Sequence, residues 1–307
     1  MEMISRVCPL CGSSDTSGIF AEANFDIDCL DSFAFASRKM PEYMHYRLVG
    51  CPVCDLLYSS PLPQENFLTR GYEEAAYDSG VEAHYAAATY AQLLSGFVDQ
   101  LPERRGALDI GAGDGAFLEC LIEYGFDQVV GVEPSRAPVA AARPEIRPLI
   151  REGNFNCADF APGSFSLVTC FQTLEHIYDP LAMTQGVHHL LRPGGAAFFI
   201  CHNRRAFSAR LLGRKSPIFD IEHLQLFSPH SARYLLEQTG FTTISLMPVI
   251  NRYPLRYWLK LLPLLPVDAK RTLIGLLDRA GAGGLSVTIP CGNIAVVGFK
   301  TNISTTE

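Results

Sequence analysis

The stretch Leu108-Asp109-Ile110-Gly111-Ala112-Gly113-Asp114-Gly115 decides how this chain is read. Residues 107–110 suit a buried strand, and residues 116–124 carry Phe117, Leu118, Leu121 and Ile122 along one side of a helix. Glycines at 111, 113 and 115 permit a tight strand-to-helix turn and let a ligand approach the backbone. A second strand over 128–132 ends at Glu133, an acid about 20 residues beyond the loop. At that spacing a carboxylate can grip the two hydroxyls of a ribose. A glycine-rich turn by itself serves equally well as a plain connector. Strand, loop, helix, strand and terminal acid in succession point instead to a nucleoside site.

Two other nucleotide sites are excluded by detail. The third glycine comes two residues after the second, which departs from G-x-G-x-x-G, and no G-x-x-x-x-G-K-[ST] is present. The stretch resembles motif I of the class I S-adenosylmethionine-dependent methyltransferases, whose D-x-G-x-G-x-G is met by Asp109, Gly111, Gly113 and Gly115. The resemblance continues through Val130-Gly131-Val132-Glu133-Pro134-Ser135, Thr173-Leu174-Glu175-His176-Ile177-Tyr178-Asp179-Pro180 and Leu190-Leu191-Arg192-Pro193-Gly194-Gly195. It implies a Rossmann-like α/β fold, a seven-stranded and mostly parallel sheet, with S-adenosylmethionine as cofactor. The glycine loop would face the methionine part and Glu133 the ribose. By position, Gly153-Asn154-Phe155 would lie beside adenine, with Asn154 where relatives often have an acid; Asp159 is farther on. Gln172, at the end of a strand over 165–171, would form the floor beside the sulfonium. Phe165-Ser166 replaces the Phe-Asp of many relatives.

A second signal lies near the N-terminus. Cys8-Pro9-Leu10-Cys11-Gly12 and Cys51-Pro52-Val53-Cys54 bring four soft thiolates together, enough to close a tetrahedral zinc site with no open position. Iron is chemically compatible, but the Gly/Pro knuckles and the lack of redox motifs favour structural zinc. Cys29 stands alone and reads as a packing residue. The chain has ten cysteines in 307 residues, spread too widely for the disulfide framework of a small secreted domain, so reduced thiols are expected.

Composition is that of a soluble protein, with 48% hydrophobic and 19% charged residues. A net charge of -7 offers no general attraction to nucleic acid or anionic membranes. No basic region followed by an apolar run opens the chain, which predicts no secretory signal and a cytoplasmic location. Residues 1–62 read as a zinc module and 63–105 as a helical cap carrying Tyr72, Tyr77, His84, Tyr85 and Tyr90. Residues 106–300 read as the methyltransferase domain, with alternating strand and helix signals. Weaker signals place a third strand over 146–151 and break the last strand at Pro290-Cys291-Gly292. An apolar insertion near 251–285 is interrupted by Pro254, Pro263 and Pro266, too often to span a bilayer; buried packing or a homodimer contact would explain it, as would a hydrophobic substrate lid or interfacial membrane contact. Ser228 is placed to cap a helix opened by Pro229, and 304–307 reads as a frayed end.

Open sheets bind ligands beyond the carboxyl ends of their strands, which gathers Gly111, Glu133, Gln172, His176, His202 and Asn203 around one crevice. The candidate bases there are His176, His202 and His223. His223 leads because Glu222 precedes it in a short loop. The segment Glu222-His223-Leu224-Gln225-Leu226-Phe227-Ser228 resembles the nucleotide-sugar C-methyltransferases, which also carry an N-terminal zinc module. That resemblance implies a base role for His223, an acceptor-side role for Glu222, and a match for the family's N-terminal tyrosine in Tyr77-Asp78-Ser79-Gly80. Ile221 and Gln225-Leu226 depart from its pattern. Arg204, Arg205, Arg210, Arg214 and Lys215 form a basic stretch that a solvated helix face, a phosphate-bearing acceptor or contact with a partner would explain. The expected function is methyl transfer to carbon or oxygen of a small biosynthetic metabolite, such as a sugar or nucleotide-sugar. The alternative is a non-enzymatic module that binds a nucleoside or uses zinc for protein or RNA contact.

Overall fold

The computed structural model describes residues 2–26, 33–263 and 265–301. Cys29 and the 304–307 tail therefore lie outside the described residues. In chain order, β1 (Met3–Ile4), β2 (Ile19–Ala21), β3 (Leu48–Gly50), β4 (Leu57–Ser59) and β5 (Leu62–Pro63) precede α1 (Glu65–Glu73) and α2 (Gly80–Ser95). Then come β6 (Ala107–Ile110), α3 (Ala116–Glu123), β7 (Val129–Glu133), α4 (Arg136–Ala141), β8 (Ile150–Glu152) and β9 (Phe165–Phe171). The chain continues through α5 (Pro180–Leu190), β10 (Leu191–His202), α6 (Phe207–Leu212), β11 (Gln225–Leu226) and α7 (Pro229–Gln238). It closes with β12 (Phe241–Pro254), α8 (Leu255–Leu261), α9 (Val267–Arg279) and β13 (Ser286–Lys300).

Seven strands form the main sheet in the order β12-β13-β10-β9-β6-β7-β8. The neighbours from β10 to β8 are parallel, while β13 runs antiparallel to both β10 and β12. This is the expected Rossmann-like methyltransferase sheet. Its central strands are apolar on both faces because helices cover both. Along β10, Phe198 and Ile200 enter the core under α2 and α3, while Ala197, Phe199 and Cys201 enter the core under α5 and α7. Ser166 is used locally: its hydroxyl donates to the Arg105 carbonyl (2.7 Å) and accepts from the Arg105 N–H (3.2 Å).

Two sheet details differ from expectation. The third strand begins only at Ile150, because Pro148, which has no N–H to donate, sits in a 3₁₀ turn over Arg147–Leu149. The last strand is not broken at Pro290. Strand β10 pairs with β13 only from Asn293 onward, and the β12 pairing shifts register between Val249 and Asn251. Pro290 thus falls where its missing N–H interrupts no ladder, and Gly292 takes φ +93° at the irregularity. Ser228 does cap α7, in a reciprocal capping box with Ser231.

Of the N-terminal strands, β1 and β5 pair with each other, and β2, β3 and β4 form an antiparallel sheet of order β11-β4-β3-β2. Its fourth strand, β11, arrives from more than 160 residues downstream and pairs Gln225 with Tyr58 and Leu226 with Leu57. The knuckle residues Cys8, Leu10, Cys54 and Tyr58 belong to the same core cluster as Phe227 and Ala232. On the insertion, Val267, Leu273, Leu276 and Leu285 remain exposed. Among the described residues, no helix is long and apolar enough to cross a membrane.

Candidate active site and metal centre

The four sulfurs of Cys8, Cys11, Cys51 and Cys54 lie within 4.8 Å of one another, with Cys8–Cys54 and Cys11–Cys51 each at 3.4 Å. A tetrahedral Zn–S₄ centre with bonds near 2.3 Å needs sulfurs ~3.8 Å apart, so the donor set fits zinc. Each knuckle turns on a residue in the left-handed region, Gly12 at φ +70° and Asp55 at φ +59°. Asp55 has a further task. Its side chain accepts hydrogen bonds from Arg204 and Arg205, and its carbonyl accepts from Arg204 Nε (2.9 Å). Burial opposes the charge of Asp55, yet bonds from Arg205, Ser228 and Arg204 hold its carboxyl down to about 2. The first two arginines of the basic stretch are therefore committed to the cysteine knuckle. None of the nine described cysteines is in a disulfide.

A cavity of about 590 Å³ opens at the carboxyl ends of β6, β7, β9 and β10. At one end the glycine loop follows β6. Glu133 Oε2 accepts from the Gly113 N–H and Oε1 from the Ser135 N–H, both at 2.8 Å. Burial pushes the Glu133 carboxyl up, against the pull of these two amides. Asp109 is buried beneath, accepting from Thr169 Oγ1 at 2.6 Å, and burial raises it to about 7. The three glycines do different work. A Cβ at Gly111 would meet Thr173 Oγ1 at 2.1 Å, one at Gly115 would meet Ile146 at 2.4 Å, and one at Gly113 would meet nothing within 4 Å. Gly113 thus borders open cavity, whereas Gly115 is a packing contact and does not line it.

Asn154, Phe155 and Gln172 line the same cavity; Asp159 does not. Gln172 adopts φ +53°, and its Nε2 is buried without a protein partner. Tyr72, Tyr77 and Tyr90 also line it, whereas His84 and Tyr85 of the cap do not. The open space at Gly113, the unpaired Gln172 amide and the Glu133 carboxylate fit the methionine and ribose parts of S-adenosylmethionine.

At the other end three histidines meet. The His223 ring lies 5.0 Å from that of His176 and 4.9 Å from that of His202. Each Nδ1 has an oxygen partner: Ile218 O for His223 (2.8 Å), Glu222 O for His176 (3.0 Å) and Asn293 Oδ1 for His202 (2.9 Å). Burial drives His223 well below its ordinary range, reinforced by the other two rings, and lowers both His176 and His202 to about 4. All three are neutral at pH 7. Glu222 Oε1 stands 3.7 Å from His223 Nε2, and burial raises that carboxyl to about 8 although Lys39 pulls it down. Asn203 is not part of this group; its Oδ1 accepts from the Arg205 N–H (2.9 Å).

Several lining residues lay beyond sequence reasoning: Arg38, Lys39, Asp220, Tyr253, Tyr257 and Asn293. Asp220 was discoverable as a second acid two positions before Glu222. The others belong to no local pattern and reach the cavity only through folding.

The methyltransferase-domain family matches residues 83–246, more than half of the chain and the span that carries the glycine loop, Glu133 and the three histidines. The chain belongs to that family. This methyltransferase is 34% identical over 121 residues to the ubiquinone biosynthesis O-methyltransferase of Pseudomonas aeruginosa, covering 35% of this chain and 50% of that protein. The protein of the same name from Aliivibrio fischeri is 28% identical over 166 residues, 48% of this chain and 70% of its own. The chain thus spans about half the length of the first curated relatives it matches. Among solved structures, a SAM-dependent methyltransferase from Archaeoglobus fulgidus aligns with a TM-score of 0.48 and 14% identity, over 77% of this chain and 100% of that one.

Proposed function

We propose that this methyltransferase transfers a methyl group from S-adenosylmethionine to carbon or oxygen of a small biosynthetic metabolite, a sugar or nucleotide-sugar being the class its acceptor loop resembles. The observation that carries the reading is one cavity with Gly113 and Glu133 at one end and an unprotonated His223 at the other. The bound sulfonium supplies an activated methyl group, so the protein's tasks are alignment and proton removal. The His223 Nδ1–H donates to Ile218 O, which leaves Nε2 with its lone pair for the acceptor's proton. The Glu222 carboxyl, 3.7 Å from that nitrogen, orients the ring. Tyr77, whose hydroxyl is buried without a protein partner, is placed to donate to the acceptor. Zinc, held by four thiolates with no vacancy, serves structure alone. A reduced thiolate set suits the cytoplasm, to which we assign the protein.

Calorimetry with S-adenosylmethionine and S-adenosylhomocysteine tests the cofactor half; absence of binding by both would end the reading. Binding without turnover on a broad acceptor panel would favour a non-enzymatic nucleoside-binding module. Once an acceptor is found, His223→Ala should slow single-turnover methylation by about 10²–10⁴ at saturating cofactor, with cofactor affinity unchanged. A full-rate His223→Ala variant alongside a slow His176→Ala variant would hand the proton to His176.

A further inference from the structure

Two neighbouring cations reach the cavity from the loop before β3, and they differ in one respect. Lys39 is neutralised: its ammonium lies 2.7 Å from Asp220 Oδ1 and 3.1 Å from Glu42 Oε2. These contacts pin the loop to the segment that carries Glu222 and His223. Arg38, one residue earlier, has no acid partner among the described residues. Its guanidinium lies instead among phenols. Tyr253, Tyr90 and Tyr257 all lie close enough to interact with it, Tyr253 by a hydrogen bond, and Tyr77 stands between its charge and that of Asp114. All five side chains line the cavity. The hydroxyls of Tyr77 and Tyr90 are buried and have no hydrogen-bond partner.

A half-buried cation with no counter-charge among the described residues, and buried hydroxyls without hydrogen-bond partners, are each costly to leave as they are. One occupant satisfies all of them: an oxyanion, which takes the planar guanidinium fork in two parallel bonds and accepts from the phenols around it. A neutral acceptor would leave the charge unmatched. We propose that Arg38, framed by Tyr77, Tyr90, Tyr253 and Tyr257, is an anion subsite that holds a carboxylate or phosphate group of the methyl acceptor. The loop that carries it is tied by Lys39 to the His223 segment, so acceptor anion and base are held by one connected element. The inference rests on the methyltransferase reading for the word acceptor, and on the cavity alone for the anion.

The test uses the whole 307-residue chain, phenyl phosphate as the anionic probe and phenol as its uncharged counterpart. Wild-type protein saturated with S-adenosylhomocysteine should bind phenyl phosphate at least tenfold more tightly than phenol. Arg38→Gln should erase that preference, and Arg38→Lys should restore part of it. S-adenosylhomocysteine affinity should stay within twofold of wild type in both variants, which also reports that they fold. A preference that survives in Arg38→Gln, or none in the wild type, would overturn the proposal. So would a tenfold loss of S-adenosylhomocysteine affinity in Arg38→Gln with unchanged binding of 5′-methylthioadenosine, which lacks the carboxylate; Arg38 would then hold the cofactor. Repeating the phenyl phosphate titration without S-adenosylhomocysteine reads the anion subsite even if the cofactor reading fails.

Discussion

His223 owes its protonation state to enclosure. Buried against two other imidazoles and held at Nδ1 by a carbonyl, it stays neutral where a surface histidine would be partly charged. The sequence offered the Glu222-His223 pair as neighbours, but not the fact that His176 and His202 crowd the same ring. Glu175 shows the opposite shift with the same cause. It is fully buried, its Oε1 accepts from the His202 N–H at 2.5 Å, its other oxygen has no partner, and burial raises it to about 7. A carboxyl whose folded pKa is raised contributes stability below its unfolded value of about 4.5 and loses it as pH rises through the folded value. Glu175→Gln should therefore gain on wild type between pH 5 and pH 8, by up to about 3 kcal/mol. Urea unfolding at the two pH values measures this; an identical gap at both would reject the assignment.

The glycine loop and the β11 segment are the two elements that build the site. In the loop, spacing alone treats Gly111, Gly113 and Gly115 alike, whereas the structure separates packing from access. Gly111→Ala should unfold at clearly lower denaturant, since its Cβ would overlap the Thr173 side chain. Gly113→Val pays for its left-handed backbone with a smaller stability loss, about 1–2 kcal/mol, but should lower S-adenosylhomocysteine affinity at least tenfold by filling the cavity. Glu133→Ala removes a charged acceptor and should weaken the same ligand by about 1.5–3 kcal/mol. Equal affinity in wild type and Gly113→Val would move the cofactor elsewhere. The β11 segment is only two residues long and has no strand signature of its own, so nothing local announces that it pairs with Leu57 and Tyr58.

For the whole molecule, that pairing joins the four-cysteine module to the segment that carries Glu222 and His223. The knuckle holds Asp55, Asp55 holds Arg204 and Arg205 at the end of β10, and β11 follows Glu222-His223 by one residue, Leu224. Elemental analysis should find about one zinc per chain. Chelation should then raise amide exchange not only over 8–60 but also over 220–227, while the glycine loop stays protected. Faster exchange confined to 8–60 would mean that the two parts are held together without the metal. The sequence by itself determined the parts whose cause is local: a parallel sheet follows from apolar runs alternating with helices, the turn at 111–115 needs glycine, and a CxxC pair brings its two sulfurs together. Tertiary structure decided what depends on distant segments meeting. Among the described residues Arg38 lacks an acid and Lys39 has two, the His223 ring packs against both His176 and His202, and Tyr253 comes back from β12 to face the loop before β3, because burial and charge pairing are properties of a neighbourhood that no spacing along the chain encodes.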